Sequence, residues 1–223
     1  MVDIKGNIAK VTANLPQNVE LLAVTKFHPI EALQEAYDCG LRRFGENRVQ
    51  ELLSKQPHLP SDIKWHFIGH LQSNKVRQIV GRVEMIESVD TVRLLNIIDR
   101  ESLRAGVVTD VLLQLHVARE ETKFGFSVDE LMEFFGSRGF ESLSAVRIRG
   151  LMGMASNTDD YVRVASDFWE ISRCYNLIKT DERFGLHGFD ILSMGMTNDY
   201  KIAICEGSNH VRIGTAIFGE REY

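Results

Sequence analysis

Cysteine is scarce in this chain of 223 residues: there are three, Cys39, Cys174 and Cys205. They stand far apart, and no CxxC or Cys/His ligand spacing joins them, so neither a disulfide scaffold nor a zinc module is written in the sequence. Free thiols in a reducing cytoplasm are the simplest reading. Cys205, inside the apolar run KIAICEG, is expected as a small buried hydrophobe. Proline is also scarce, at four residues. No Pro-, Gly- or Ser-rich stretch marks a linker, so one domain over 1–223 is expected. No apolar run approaches the ~20 residues of a membrane span, and no charged-then-apolar leader opens the chain. Basic residues are not in excess: 26 Lys and Arg against 31 Asp and Glu leave a net charge of −5, which argues against general nucleic-acid binding. HExxH, Walker, GxSxG and GxGxxG patterns are all missing. A soluble, cytoplasmic protein without a metal site is the expectation.

What is present is a regular alternation. A chain of this length buries roughly 70–75% of its unfolded surface and needs no covalent or metal staple. Strand-like runs stand at 21–25, 42–44, 64–68, 83–87, 109–117, 146–152, 189–193 and 210–213. Several are apolar at consecutive positions, as parallel strands covered on both faces are. Amphipathic segments separate them. In 158–179, Tyr161, Val164, Ala165, Phe168, Ile171, Tyr175 and Ile178 form one stripe, with Asn157 or Thr158 as the expected cap. In 90–103, Leu94, Leu95, Ile97, Ile98 and Leu103 do the same behind Asp90. A further helix is expected at 2–13. Eight strands with interleaved helices predict an α/β fold, a (β/α)₈ TIM barrel with an extra N-terminal helix. A doubly wound open sheet is the alternative.

Barrel active sites lie at the C-terminal ends of the strands. The first strand ends at Thr25-Lys26-Phe27-His28. A lysine at the mouth, partly desolvated, becomes a nucleophile toward aldehydes. On this segment alone the plainer reading, a stem snorkelling to water, outweighs it. The C-terminal stretch shifts the balance. Ser193-Met194-Gly195-Met196-Thr197-Asn198-Asp199 follows the seventh strand and opens a helix at 199–206, and Arg212-Ile213-Gly214-Thr215 follows the eighth. Small residues there expose backbone N–H groups suited to a phosphate, at the two strands where barrels frequently bind one. Turn glycines and helix caps are the competing reading. Asn47 and His70 stand at other strand ends, and Glu120–Gly125 reads as a flexible, solvated loop. His66 and His70 straddle a strand end, so they do not form a helical metal pair, and each is expected to be a hydrogen-bonded structural residue.

In combination, LLAVTK (21–26), FGENRVQE (44–51), WHFIGHLQSNK (65–75), RGLMGM (149–154), LSMGMTNDY (192–200) and VRIGTAIFG (211–219) resemble the pyridoxal phosphate homeostasis protein family. The match runs in order over essentially the whole chain. Phe27-His28 departs from the family's more usual Thr-Lys, and Thr197 stands where serine is common. The resemblance implies the barrel of the alanine racemase class and a Schiff base between pyridoxal 5′-phosphate and Lys26. It places the phosphate on Ser193, Gly195, Met196, Gly214 and Thr215, and sets Arg212 against the pyridine nitrogen. Asn47 and His70 would line the cofactor. No residue is assigned a catalytic role. The implied role is storage, buffering or delivery of the cofactor, with apo pyridoxal phosphate enzymes as recipients and a monomer as the working state. A small racemase or decarboxylase is the competing reading. A two-base racemase needs an acid/base on each face of its substrate. The second comes from a following β-domain in the racemases, and Tyr223 is only ten residues beyond Ile213. A cofactor-free barrel acting on a phosphorylated metabolite remains if Lys26 is unreactive.

Overall fold

The consecutive apolar runs form parallel strands, and the last of them hydrogen-bonds to the first. The computed structural model describes residues 2–118 and 124–220. Its strands are β1 (Glu20–Val24), β2 (Arg43–Glu46), β3 (Lys64–Phe67), β4 (Met85–Val89), β5 (Thr109–Leu115), β6 (Val146–Gly153), β7 (Ile191–Ser193) and β8 (His210–Ile213). They follow one another in order, all parallel. β8 pairs with β1 from Glu20↔His210 to Ala23↔Ile213, which closes the barrel. An open sheet would leave β1 and β8 without each other, so the doubly wound alternative is excluded.

Around the strands run α1 (Ile4–Ala13), α2 (Ile30–Asp38), α3 (Val49–Lys55), α4 (Val76–Ile79), α5 (Val92–Ala105), α6 (Val128–Gly136), α7 (Tyr161–Thr180), α8 (Tyr200–Cys205) and α9 (Thr215–Phe218). The extra N-terminal helix is α1, and Asn7 Nδ2 ties it to the Ile217 carbonyl of α9 at 3.1 Å. Among the described residues no helix is long and apolar enough to cross a membrane.

The caps differ from the sequence expectation. Asp160, not Asn157 or Thr158, starts α7: its Oδ1 accepts from the N–H groups of Val162 and Arg163, while Thr158 Oγ1 accepts from Asp160 N. An ionised carboxylate at the positive end of a helix outcompetes a neutral side chain. Thr91 caps α5 through Leu94 N, because Asp90 is turned to His70 instead. The stripes shift accordingly. Tyr161 is 74% exposed in the first turn of α7 and Leu103 is 62% exposed. Ser102 takes the inward position on α5 and hydrogen-bonds Thr109 at 2.7 Å. Cys205 is exposed rather than buried, since Ala203 is the buried residue of the short α8.

Most of the core lies between barrel and helices, led by Phe44, Phe67, Phe135 and Phe168. The barrel interior is different. One side holds a small apolar cluster of Met85, Leu112 and Met152, with Ile191 against it. The other side holds His66, Glu87, Ser193, His210 and Arg212, all buried. β3 and β8 are separated by β1 and β2, yet the His66 and His210 ring centroids lie 5.4 Å apart, so these side chains meet across the interior.

Gly150 sits beside the register shift between β5 and β6, at φ +153°, and a Cβ there would fall 1.7 Å from the Ile191 carbonyl oxygen. Gly150→Ala is expected to cost about 3 kcal/mol or more, because backbone must move. Gly136→Ala, where nothing lies within 4 Å at the end of α6, should be neutral or gain up to about 1 kcal/mol. Urea denaturation midpoints of the two variants check the contrast.

Candidate cofactor site

Closure brings the two ends of the chain to one mouth. Lys26 lies two residues beyond β1 and is half-buried. Gly214 directly follows β8, and a Cβ on it would come within 3.2 Å of the Val24 carbonyl and 3.3 Å of the Val24 Cβ. The absent side chain therefore lets the β8 loop run against the end of β1. Thr215 opens α9, and neither its N–H nor that of Gly214 donates a hydrogen bond among the described residues. The β7 loop joins from the other side. Gly195, at φ +93°, lies so close to α8 that a Cβ would stand 2.7 Å from Tyr200 Cα, and its carbonyl accepts from Arg212 N. Thr197 Oγ1 accepts from Ala216 N at 3.3 Å, which links the two loops. Met196 N–H is differently placed: it donates to Asp199 Oδ1 at 2.6 Å, so a carboxylate already holds one of the sequence-predicted phosphate donors.

Arg212 is buried on β8 and donates to Ser193 Oγ at 2.6 Å and to the Gly153 carbonyl at 2.9 Å. Burial lowers its pKa from the usual arginine value against the pull of Glu87 and Asp199. A guanidinium nevertheless stays charged at neutral pH. Asn47, just past β2, has a buried Oδ1 with no hydrogen-bond partner among the described residues. Such an orphan acceptor asks for a donor that those residues do not supply. His70, past β3, is hydrogen-bonded to Asp90 Oδ2 at 2.8 Å, and its ring stacks on Phe124 with centroids 3.7 Å apart. One face of His70 is thus covered. Glu120 to Lys123 of the loop expected to be solvated lie outside the described residues. Its last two members, Phe124 and Gly125, are placed, with Phe124 52% exposed.

Two polar networks escaped the sequence reading. Between β2 and α3, Lys55 Nζ donates to Glu46 Oε1 at 2.7 Å, Glu51 Oε1 at 2.7 Å and the Thr25 carbonyl at 2.8 Å. Glu46 Oε1 also accepts from Thr25 Oγ1, and Glu51 Oε1 accepts from Phe27 N at 2.5 Å. The peptide units before and after Lys26 are therefore both pinned by one buried ion network. Phe27 has φ +68°, a left-handed conformation that a bulky residue keeps only where its surroundings over-determine it. The Arg48 guanidinium lies 4.8 Å over the Phe27 ring. The second network links Arg212, Ser193, Glu87 and His66 down the barrel: Ser193 Oγ donates to Glu87 Oε2 at 2.7 Å, and His66 Nδ1 meets Glu87 Oε1 at 2.6 Å. His66 is hydrogen-bonded as expected, but to partners that local sequence does not reveal. A charged residue on the inward face of a four- or five-residue strand, as in MIESV and HVRI, was the available signal.

Residues 2–222 match the family model for the alanine racemase N-terminal domain. The pyridoxal phosphate homeostasis protein of Aquifex aeolicus is 38% identical over 205 residues, covering 92% of this chain and 88% of that protein. Its namesake in Escherichia coli is 35% identical, covering 100% of this chain and 99% of that protein. Among solved structures, PipY of Synechococcus elongatus with PLP bound superposes with a TM-score of 0.89 at 34% identity, covering 97% of this chain and all of that one. Alanine racemase from Streptomyces coelicolor, 17% identical with a TM-score of 0.76, shows the fold alone, over 57% of its own chain.

The network around Lys26 carries a pH signature. Burial raises the Glu46 carboxyl above its usual range, against the pull of Lys55. A carboxyl raised in the fold burdens stability least when protonated, and the burden grows as pH rises through the folded value. Glu46 and Lys55 side chains are 0% and 7% exposed, and removing one partner of such a pair costs about 3–5 kcal/mol. Lys55→Met should show that loss at pH 8 and a clearly smaller one at pH 5, by urea denaturation. Equal losses would mean that Lys55 contributes packing and not charge.

Proposed function

Because this chain belongs to the pyridoxal phosphate homeostasis protein family, built on the alanine racemase N-terminal domain, we propose that it binds pyridoxal 5′-phosphate covalently through Lys26 and stores, buffers or delivers it without turning over amino acids. One observation carries the reading: a half-buried lysine, the unused N–H groups of Gly214 and Thr215, and a buried arginine converge on one mouth. The backbone N–H groups of Gly195, Gly214 and Thr215 hold the phosphate, with Ser193 supporting them from β7. Met196 N joins once the Asp199 carboxylate withdraws. Asn47 Oδ1 takes a hydrogen bond from the ligand side, and His70 borders the ring.

When bound, the cofactor supplies an electron sink for chemistry at the α-carbon. Arg212 works against that sink. Held by Ser193 and Gly153, its charge faces the position of the pyridine nitrogen and disfavours a proton there. The protein therefore keeps the ring as cargo. The match along nearly the full length of proteins named for pyridoxal phosphate homeostasis supports the same reading. The three thiols are free, in keeping with a cytoplasmic setting. We take the monomer as the working state, with apo enzymes as recipients.

Borohydride reduction of the loaded protein, followed by peptide mapping, should place the pyridoxyl group on Lys26. A label chiefly on Lys75 or Lys201 would overturn the assignment. Gly214→Asp sets a carboxylate against the phosphate and should weaken binding of pyridoxal phosphate far more than binding of pyridoxal. Equal loss in a folded variant would remove the β8 loop from phosphate recognition.

The carrier reading is tested with loaded protein and single L-amino acids in deuterated water. Exchange of the α-proton, followed by NMR with chiral chromatography beside it, should stay far below ~1 s⁻¹, the lower end of ordinary enzyme turnover. Exchange at or above that rate would make the protein an enzyme. Mixed with an apo pyridoxal phosphate enzyme, the loaded protein should restore activity. No transfer would leave storage and rule out delivery.

A further inference from the structure

At the opposite end of the barrel stands a second group of ligating side chains. His66 on β3, Glu87 on β4 and His210 on β8 each offer one ligand atom, and these atoms all lie within 4.8 Å of one another. All three residues are buried. His66 Nδ1 lies 2.6 Å and His210 Nε2 3.2 Å from the same oxygen, Glu87 Oε1. The approach of His210 is close enough for charge attraction, yet neither of its ring nitrogens has hydrogen-bond geometry to any described group, in a residue only 1% exposed. A buried imidazole with both nitrogens unsatisfied is costly, and a missing ion is among the usual reasons for one.

The group is reachable from outside. A cleft of about 300 Å³ opens at the N-terminal ends of the strands, with His66 and His210 among its lining. Its wall carries Glu20, Glu84, Asp110 and Asp190 against Arg43 and Arg149. Each of these carboxylates is ion-paired, Glu20 with Arg43, Glu84 with Lys64, Asp110 with Arg147 and Arg149, and Asp190 with Arg149, so the wall around the group is close to neutral. The outer nitrogens of both rings face carboxylates. His66 Nε2 is 3.4 Å from Glu84 Oε2, and His210 Nδ1 is 3.8 Å from Glu20 Oε2. Carboxylate behind histidine behind metal is the arrangement that orients ligating imidazoles. Ser193 occupies Glu87 Oε2, which leaves Oε1 for the centre.

We propose that His66, Glu87 and His210 form a divalent-metal site, with Zn²⁺ as its preferred occupant and water from the cleft completing the shell. Two imidazoles, one carboxylate and an open position form a zinc donor set. Bonds of about 2.0–2.1 Å in a tetrahedral shell set ligand atoms roughly 3.3 Å apart. The His210–Glu87 separation already fits, and the His66–Glu87 separation must open by roughly 0.7 Å. The rings lie with their planes 6° apart, so one must turn to aim at a common point. His210, tied by no hydrogen bond, is the one that turns. Sequence spacing shows none of this, because the ligands come from three strands that are distant in the chain.

The test uses the full-length protein after chelator treatment. Calorimetric titration with Zn²⁺ should give one equivalent per chain in the micromolar range or tighter. Co²⁺ in its place should give the visible absorption of a four- or five-coordinate nitrogen–oxygen site. Glu87→Gln and His210→Gln should weaken binding at least ~100-fold, and Glu20→Gln, behind His210, roughly 10–100-fold. Lys26→Ala should bind Zn²⁺ as the wild type does, which separates this site from the cofactor reading. Near-UV circular dichroism checks that each variant folds. If a ligand variant does not fold, the Co²⁺ spectrum of the wild type decides alone. Absent or millimolar binding, a Co²⁺ spectrum of the hexaaqua ion, or unchanged binding in folded His210→Gln would each overturn the proposal.

Discussion

The ladder between β1 and β8 is the constraint from which the candidate site follows. Its four register pairs, from Glu20↔His210 to Ala23↔Ile213, join the first and last strands of a chain whose other neighbours are consecutive. Lys26 and Gly214 are 188 positions apart in the chain, and only this pairing makes them neighbours. The glycine is part of the same constraint, since the β8 loop passes Val24 at a distance that leaves a side chain little room. A mouth assembled this way depends on the most non-local strand pairing in the fold, whose loop-closure entropy must be met before that pairing stabilises anything.

Closure also creates an interior, and its filling is lopsided. Barrels of this class are usually packed inside with bulky branched side chains. Here Met85, Leu112, Met152 and Ile191 fill one side, while the other is a hydrogen-bonded column from Arg212 through Ser193 and Glu87 to His66. Buried charges are tolerable only when paired. Glu87 meets that condition by serving a serine with one oxygen and the histidines with the other. The same residue thus steadies Arg212 at the upper end and gathers imidazoles at the lower. The Glu46–Lys55–Glu51 network repeats the principle outside the barrel, where its acceptors and donors clamp the backbone on both sides of Lys26.

How much of this is legible in the sequence depends on range. Strand positions are legible because burial on both faces imposes consecutive apolar residues, as in LLAV, and the eight predicted runs overlap the eight strands. Lys26 and the two C-terminal loops are legible because a strand end and a small-residue turn are local features. Caps are less so: Asn157, Thr158 and Asp160 all suit the start of α7, and only the geometry of the N–H groups selects Asp160. Cys205 misleads because a short apolar run does not say which face of a six-residue helix turns inward. Partners of buried charges are not legible at all. Nothing near Glu87 in the sequence points to His210, 123 residues later, because their proximity is a property of the closed barrel.

The burial of Arg212 bears on how a phosphorylated ligand meets the protein. At 4% exposure, its charge is almost entirely withdrawn from bulk solvent. Beyond a Debye length of about 8 Å at physiological ionic strength, an approaching dianion encounters little of that charge. It meets a molecule of net charge −5, which repels it. Attraction begins only within the mouth, where low polarisability strengthens it. Such a field is short-ranged: it slows encounter, holds the ligand once docked, and adds no pull on a ligand that has left. In the proposed carrier role, a charge hidden from the bulk would limit recapture after release.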